Sequence, residues 1–334
     1  MEISKEIGKG AYGKVFTLKD NEDYVLKKIN YMDPDTIRSI LLEIIIMYSI
    51  DHPNIMKCKG WNLSKISMEF YMVKYPISLM KYLQLNQASK YHINTKTINS
   101  MLMNILNGID YIHVNGILHL DISDDNIMLD NNLNCVITDF GLSDIEYKKD
   151  DFKSNKMQKF PVIKNPFAPP EVLEETFYNS KADIWSFGVL MAKIINYGYI
   201  FLNIKERNNQ LKYINTFLSK NNEDKKKFIE NYISPRCIDY DSLYVVSDEL
   251  TQTHIDILLS IFTKNIDDRP TAREIMRYLN FYEWVSCSND FINLEHIDRL
   301  RSYFITTLNN DKEGKDICKI TKKINESLSS VYVK

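Results

Sequence analysis

The sequence predicts an α+β fold in two lobes: a small β-rich amino-terminal lobe with one long helix, and a larger, mainly helical carboxy-terminal lobe. Three observations predict it. Apolar residues alternate with polar ones through most of the first thirty positions, as in half-buried strands. They then recur at helical spacing from Asp35 to Ile50. The same helical spacing fills most of the chain beyond Pro76, and 334 residues are enough for a sizeable core.

Four strands and one helix are predicted for the small lobe. Alternating apolar residues mark the strands, which lie in the stretches EISKEIG, GKVFTLK, YVLKKI and ISMEFYMVKY. Asp33-Pro34 is a start signal for the helix. The apolar face of that helix consists of Ile37, Ile40, Leu41, Ile44 and Met47. We place the small lobe at residues 1–73 and a short link, or hinge, at residues 74–76.

The larger lobe is predicted to span residues 77–281. Helical periodicity is strongest in three stretches, Thr95–Val114, Ser180–Asn196 and His254–Phe262. Between the second and the third lies a polar stretch, KERNNQLKYINTFLSKNNEDKKKF, which is expected to be solvated helix and loop. Residues 282–334 are predicted to form an extra packed helix followed by a tail.

Composition and charge exclude several classes of protein. A net charge of −2 argues against a nucleic-acid partner and against a strongly basic membrane-surface protein. The five cysteines are scattered and never form a CxxC pair, which favours a reducing, cytoplasmic compartment over a disulfide framework or a zinc site. The first residues lack the apolar core of a signal peptide. The longest apolar run, SFGVLMAKIINYGYIFL, is interrupted by Lys193 and is predicted to be a buried helix rather than a membrane span.

A glycine-rich stretch, IGKGAYGKVF, places Gly8, Gly10 and Gly13 in G-x-G-x-x-G spacing. In a dinucleotide-binding fold such glycines lead from a strand into a helix. Because KVFTLK is strand-like, a strand–loop–strand flap that closes its backbone N–H groups over phosphates is favoured. Lys27, on the third predicted strand, is a candidate to neutralise phosphate oxygens. The alternative is a surface lysine beside Lys28.

The stretch GILHLDISDDNIMLD is mostly apolar, yet it holds four carboxylate or amide side chains within about one turn: Asp121, Asp124, Asp125 and Asn126. A single histidine, His119, precedes them, and Asp139 follows in the stretch ITDFGLSD. Solvated turn residues are one interpretation of these side chains, and a functional site is the other.

These motifs resemble those of the eukaryotic protein kinase family. His119-Leu120-Asp121 stands for the family's histidine-arginine-aspartate motif, with Asn126 five positions later and Asp139-Phe140-Gly141 intact. The resemblance implies a kinase-like fold and transfer of the γ-phosphoryl group of ATP to protein hydroxyls. It implies that Asp121 is the catalytic base, that Asn126 and Asp139 bind the metal ions (Mg²⁺, with Mn²⁺ as a substitute), and that His119 has a structural role.

The same resemblance implies a nucleotide site in the small lobe. Lys27 would pair with Glu43, the lone charge on an apolar stretch of helix, and a buried glutamate is costly without a partner. The residues implied in nucleotide binding are Ile7, Gly8, Lys9, Gly10, Ala11, Tyr12, Gly13, Val15, Lys27, Val73, Lys74 and Tyr75.

Further matches to the family lie downstream, so that the resemblance runs from about Glu2 to about Phe281. Pro170-Glu171 resembles the end of the activation segment, and Arg269 is the family's partner for that glutamate. Asp183 would accept hydrogen bonds from the catalytic-loop backbone. In the same stretch, Trp185 and Gly188 stand at the positions where the family's pattern has them.

Two departures from the family's motifs bear on whether the protein is an active kinase. Leu120 replaces the arginine that receives an activation-loop phosphate in the family, so that kind of control is not expected. Ser123 stands where serine/threonine kinases carry a lysine for the γ-phosphate, and Lys164 is a candidate replacement donor. Losing one such donor costs about 10²–10³ in rate, which leaves a slow enzyme. The alternative is a pseudokinase, a nucleotide-binding scaffold or regulatory interaction module with little or no transfer.

The substrate class depends on the same loop. Asp125 occupies a position where many serine/threonine kinases have an acidic residue that favours basic substrates. The stretch KFPVIK resembles tyrosine kinases, but their loop has alanine and arginine where this chain has Ser123-Asp124-Asp125. We therefore expect Ser/Thr transfer to protein substrates with basic residues near the acceptor. The sequence does not specify an activating subunit.

Overall fold

The computed structural model describes residues 2–9, 13–30, 43–63, 67–89, 93–146, 163–233 and 248–279. These residues belong to two compact units. One unit contains residues up to Tyr75 together with Thr138–Ser143, and the other contains Pro76–Ile137 and the residues from Asp144 onward. The first is mainly sheet and the second mainly helix, so the predicted α+β class is confirmed.

The sheet unit is built on five antiparallel strands in the order β1-β2-β3-β5-β4. They are β1 (Ile3–Lys9), β2 (Lys14–Leu18), β3 (Tyr24–Asn30), β4 (Cys58–Leu63) and β5 (Ser67–Val73). The four predicted strands correspond to β1, β2, β3 and β5. The strand β4 was not predicted, because its sequence CKGWNL lacks apolar alternation and contains a glycine.

A helical segment, residues 43–49, accompanies the sheet in this unit. It is the carboxy-terminal part of the predicted long helix, and residues 35–42 lie outside the described part. Its first five side chains are all buried, as are Leu26, Ile29 and Phe70 of the sheet. A helix buried nearly all round explains why its sequence reads EIIIM rather than as a narrow apolar stripe.

The helical unit contains eight α-helices among its described residues. They are α1 (Leu79–Ser89), α2 (Thr95–Val114), α3 (Pro170–Leu173), α4 (Lys181–Asn196), α5 (Arg207–Leu218), α6 (Asn222–Ile233), α7 (Asp248–Ile261) and α8 (Ala272–Tyr278). The predicted bounds of α2 are confirmed, and its first turn is capped by Asn94, whose Oδ1 accepts from the Thr97 N–H. Helix α4 is buried along almost its whole length, as the apolar run predicts. Within the described ranges, no helix is both long and apolar enough to span a bilayer.

Short strands frame one loop of this unit. The strand β7 (Ile117–Leu118) pairs with β10 (Asp144–Ile145), and β6 (Ile77–Ser78), β8 (Ile127–Leu129) and β9 (Cys135–Ile137) form a three-stranded sheet. The chain between β7 and β8 is therefore held at both ends, and it closes with a 3₁₀ turn, Asp124–Asn126. This segment contains Asp121 and Asn126 of the candidate site.

The polar stretch, residues 205–228, contains α5 and the start of α6, and most of its residues are exposed or partly exposed, as predicted for solvated helix and loop. Both helices bury an apolar face, which includes Ile214, Phe217 and Ile229. The ring of Phe217 lies 5.3 Å from that of Phe201 and 6.2 Å from that of Phe262. This buried face was not predicted, because its few apolar residues stand at helical spacing among many charged ones in the sequence.

Candidate active site

Lys27 and Glu43 form a buried ion pair in the sheet unit. Lys27 lies on β3 and Glu43 in the helical segment 43–49, and the Nζ atom is 2.6 Å from Oε1. The pair predicted from the sequence is therefore present. Burial by itself would lower the pKa of Lys27, but the carboxylates of Glu43 and Asp139 outweigh it and raise that pKa above its ordinary range. The ammonium group stays charged at neutral pH.

Asp139 is the second partner of that ammonium group. Its Oδ1 atom lies 2.9 Å from the Nζ atom of Lys27, and its side chain is 36% exposed. The backbone φ of Asp139 is 65°, a left-handed conformation that is uncommon for residues other than glycine. The next residue, Phe140, is fully buried. A strained backbone beside a buried anchor holds this half-exposed carboxylate in place, as at many functional sites.

The described glycine-rich residues form the two arms of a hairpin. Gly8 on β1 is opposite Val15 on β2, so a strand follows the glycines and the dinucleotide-fold alternative is wrong. A Cβ atom on Gly13 would lie 2.7 Å from the carbonyl oxygen of Lys28, so this position requires glycine. Ile7 is exposed. Lys9 ends β1, whereas Gly10, Ala11 and Tyr12 lie outside the described residues.

The predicted link follows β5. Val73 is the last residue of that strand, and the Lys74 N–H donates to the carbonyl oxygen of Asp23 at 2.7 Å. Tyr75 is partly exposed and is the last residue assigned to this part of the sheet unit. These three residues continue from the buried sheet, and their backbone groups are therefore held in a defined orientation.

In the helical unit, Asp121 is fixed by two residues of its own loop. The Nδ2 group of Asn126 donates to the backbone oxygen of Asp121 at 2.9 Å and to its Oδ2 atom at 2.6 Å. The backbone N–H of Asp121 donates to Nδ1 of His119 at 3.2 Å. His119 is fully buried, in agreement with its predicted structural role. These hydrogen bonds within the loop orient Asp121.

Asp183 on α4 holds the backbone of the same loop. The N–H groups of His119 and Leu120 donate to its two carboxylate oxygens at 2.8 and 2.7 Å, as the resemblance implied. His113, which was not predicted, lies 2.9 Å from the same carboxylate. Burial alone would raise the pKa of Asp183, but the bonds from His113 and the backbone lower it below its ordinary value. Leu120 has a φ of 60°, so the carboxylate restrains a strained turn.

A second ion pair joins α3 to the segment before α8. Two guanidinium nitrogens of Arg269 lie 2.6 and 2.8 Å from the two carboxylate oxygens of Glu171, in the predicted bidentate arrangement. The guanidinium carbon lies 4.9 Å from the ring centre of Trp185. A Cβ atom on Gly188 would lie 2.7 Å from Ile261, so the glycine allows α4 to pack closely against α7.

A third buried pair was not predicted. Lys193 on α4 lies 2.7 Å from Oδ2 of Asp124, and it also donates to the hydroxyl of Tyr199 at 2.7 Å. Both charged side chains are buried. The signal was present in the sequence, because Lys193 is the only charge in the apolar run SFGVLMAKIINYGYIFL, just as Glu43 is the lone charge in its apolar stretch. The pair places Asp124 in a structural role and ties the 3₁₀ turn to α4.

Lys164 lies beside the predicted base. Its Nζ atom is 3.4 Å from Oδ2 of Asp121 and 3.7 Å from Oδ2 of Asp125, and its side chain is 46% exposed. Ser123, by contrast, is fully buried, and its hydroxyl has no hydrogen-bond partner in the part of the chain that the structure describes. Within the described part of this unit, Asp121 and Asp125 therefore share a cation that comes from a different segment.

Comparison with known proteins identifies the family. A model of the protein kinase domain matches residues 1–281. The chain belongs to the protein kinase family. Its relatives include a probable serine/threonine-protein kinase of Arabidopsis thaliana, 34% identical over 203 residues, a match that covers 58% of this chain and 27% of the relative.

Two further relatives are kinases by name. The cyclin-dependent kinase C-2 C of Arabidopsis thaliana is 30% identical over 203 residues, covering 57% of this chain and 30% of the relative. The CTD kinase subunit alpha of Saccharomyces cerevisiae is 30% identical over 208 residues, covering 60% of this chain and 38% of the relative. The kinase chain therefore spans well under half of the length of each of these relatives.

The donor atoms of this kinase suit magnesium bound together with phosphates. Asn126 uses Nδ2 for both of its hydrogen bonds, which leaves Oδ1 as an oxygen ligand, and Asp139 offers a half-exposed carboxylate. Among the described residues, no group of three or more His, Cys, Asp and Glu side chains could hold a metal ion. Mg²⁺ typically takes one or two protein oxygens and completes its shell with water and substrate phosphates, so the oxygen that each residue offers is of a kind that suits this ion.

Proposed function

We propose that this protein kinase is active and transfers the γ-phosphoryl group of ATP to serine or threonine hydroxyls of proteins, with Asp121 as the catalytic base. The observation that carries the proposal is the 2.6 Å hydrogen bond from Asn126 to the Asp121 carboxylate. It lies in a loop whose backbone is held by Asp183. A base oriented in advance is what general base catalysis requires.

The proposed nucleotide site lies in the sheet unit. The backbone N–H groups of the β1–β2 turn would cover the phosphates, and Lys27, held by Glu43, would neutralise them. The residues assigned to this site are Ile7, Gly8, Lys9, Gly10, Ala11, Tyr12, Gly13, Val15, Lys27, Val73, Lys74 and Tyr75. Asn126 and Asp139 would each supply an oxygen to Mg²⁺ or Mn²⁺, and the metal-bound triphosphate supplies the phosphoryl group.

The proposed substrates are proteins with basic residues near a serine or threonine. Asp125 supports this preference, because its side chain is 42% exposed beside the proposed base. The names of the first relative and of other kinases in the comparison support Ser/Thr transfer. The lobes at residues 1–73 and 77–281, the hinge at 74–76, the extension at 282–334 and the cytoplasmic location remain predictions.

A pseudokinase is the second candidate, and one observation favours it. Ser123 is buried where serine/threonine kinases carry a lysine. A chain of this kind would bind nucleotide but would transfer phosphate slowly or not at all.

The test is transfer from labelled ATP with Mg²⁺ or Mn²⁺ to protein substrate and to the chain itself. We expect wild type to incorporate label, and Asp121→Asn to lower the rate by at least about a hundredfold because the base is lost. Lys27→Met should also abolish most transfer. Asp20→Asn, at an exposed position, is the control. Incorporation that survives both site substitutions would refute the assignment, whereas nucleotide binding without transfer in wild type would select the pseudokinase.

A further inference from the structure

Lys164 combines a fixed backbone with an exposed charged end. Its carbonyl oxygen accepts from the Phe167 N–H at 2.8 Å, and both Ile163 and Phe167 are buried. The side chain of the next residue, Asn165, donates to the carbonyl oxygen of Ile204 at 2.8 Å. The ammonium group of Lys164 can therefore move by rotation of its own side chain while its Cα atom stays in place.

The ammonium group of Lys164 lies close enough to the proposed base to take part in the proposed reaction. An acceptor hydroxyl that gives its proton to Asp121 must lie about 2.6–3.2 Å from that carboxylate. The phosphorus atom that it attacks must come within about 3–3.5 Å of the hydroxyl oxygen. Lys164 is already 3.4 Å from Oδ2 of Asp121, so the transferring phosphoryl group would come within reach of its side chain.

We propose that Lys164 is a catalytic residue that contacts the γ-phosphate, in the role that the buried Ser123 does not fill. The inference rests on the proposed function. In the reaction, the bond from the acceptor oxygen to phosphorus forms and the bond from phosphorus to the bridging oxygen breaks. The electron pair leaves on ADP, and the hydroxyl proton goes to Asp121. Lys164 keeps its proton throughout and stabilises the negative charge on the γ-phosphate oxygens.

The proposal also accounts for the position of Lys164 between two carboxylates. Asp121 and Asp125 hold the ammonium group at 3.4 and 3.7 Å, distances that are longer than those of the buried pairs. A weakly held and half-exposed cation loses little when it moves to a phosphate. Its departure leaves the carboxylate of Asp125 available to a basic residue of the substrate.

The test is nucleotide affinity rather than activity alone. Binding of ADP and of a non-hydrolysable ATP analogue, each with Mg²⁺, is measured by calorimetry for wild type, Lys164→Met and Lys164→Arg. We expect Lys164→Met to weaken the affinity for the analogue by about tenfold and to leave the affinity for ADP unchanged, because only the analogue carries a γ-phosphate. Lys164→Arg should keep most of the wild-type ratio between the affinities for the analogue and for ADP. The exposed Lys96 on α2 supplies the control, Lys96→Met.

Transfer rates complete the test. Lys164→Met should lower kcat by about a hundredfold, the cost of one preorganised donor. An analogue-to-ADP affinity ratio that is equal in wild type and Lys164→Met would overturn the proposal, even if the protein transfers phosphate. A wild type that transfers none would refute the proposed function, and the affinity ratio would still decide whether Lys164 contacts the γ-phosphate. A wild type that binds neither nucleotide overturns both.

Discussion

Glu43 and Lys193 are single charges in apolar helical stretches, and each has an oppositely charged partner in the structure. Lys27 lies 2.6 Å from Glu43, and Asp124 lies 2.7 Å from Lys193. A buried charge without a partner is strongly destabilising. A lone charge in an apolar helix therefore indicates that a partner exists, although it does not identify the partner. The family resemblance identified it for Glu43, and only the structure did so for Lys193.

His254 on α7 is a buried titratable group outside the candidate site. Its Nε2 atom lies 2.8 Å from Oδ1 of Asn99, and burial lowers the pKa of His254 to about 4. The ordinary value is 6.5, so between these two pH values the unfolded chain binds a proton that the folded chain does not. The free energy of unfolding consequently falls as the pH is lowered through this window.

We expect His254→Gln to remove this pH dependence. A glutamine amide can still donate to Asn99 but does not titrate. Between pH 7.5 and 5.0, wild type should lose about 2 kcal/mol more of its unfolding free energy than the variant, since each pH unit within the window is worth about 1.4 kcal/mol. Urea unfolding at the two pH values measures the difference. Equal losses in both proteins would contradict the prediction, because they would show that His254 binds a proton equally well in the folded and unfolded states.

At the scale of elements, the loop between β7 and β8 depends on α4 from two sides. Asp183, near the start of the helix, accepts from the loop backbone at His119 and Leu120. Lys193, near its end, binds Asp124 in the 3₁₀ turn. The helix is almost wholly buried, so it provides a rigid support. The geometry of the proposed base is therefore set by a helix distant in sequence.

We expect Lys193→Met to lower the free energy of unfolding by about 3–5 kcal/mol, because it leaves the Asp124 carboxylate buried without its cation. Adding Asp124→Asn to that variant should restore part of the loss, since the uncompensated charge is then gone. The matched control is Lys227→Met, which removes an exposed i,i+4 pair with Glu223 and should have no measurable effect. Urea unfolding of the four proteins checks this, and a Lys193→Met variant as stable as the control would contradict it.

At the scale of the whole molecule, regulation depends on the position where the family resemblance implies a phosphate-binding arginine, and this chain has no arginine there. Leu120 occupies that position, and its side chain is 1% exposed. A buried leucine has neither the charge nor the access to bind a phosphate group. Control of this kinase by an activation-loop phosphate through this residue is therefore not expected. Residues 147–162 of that segment lie outside the described part.

We expect the transfer rate to change by less than about twofold when the purified protein is treated with a protein phosphatase. The physical reason is that Leu120 offers no cation whose position a phosphate could set. The rate is measured on a peptide substrate before treatment and after removal of the phosphatase, with a mock-treated sample as the control. A large fall in rate after treatment would show that phosphorylation acts through another residue.

Local pattern was sufficient for much of the fold and of the candidate site. Helical periodicity predicted α2 from Thr95 to Val114, and the family motif placed Asn126 five positions after Asp121, where the structure shows the two side chains joined by a hydrogen bond. Such features involve neighbours in sequence, where spacing alone decides which side chains share a face or a turn. The strand β4 was not predicted, because its own sequence lacks a strand pattern. It becomes a strand by pairing with β5, and local spacing does not reveal that pairing.

The amino-acid sequence by itself determined the family and the α+β class, and it predicted the residues of the candidate site. The tertiary structure decided which long-range partners those residues have: Lys193 for Asp124, 69 positions away, and Lys164 for Asp121. The reason is that periodicity and motif spacing describe short segments. The partner of a charge depends instead on where the whole chain brings its distant parts together, and burial then makes that pairing energetically necessary.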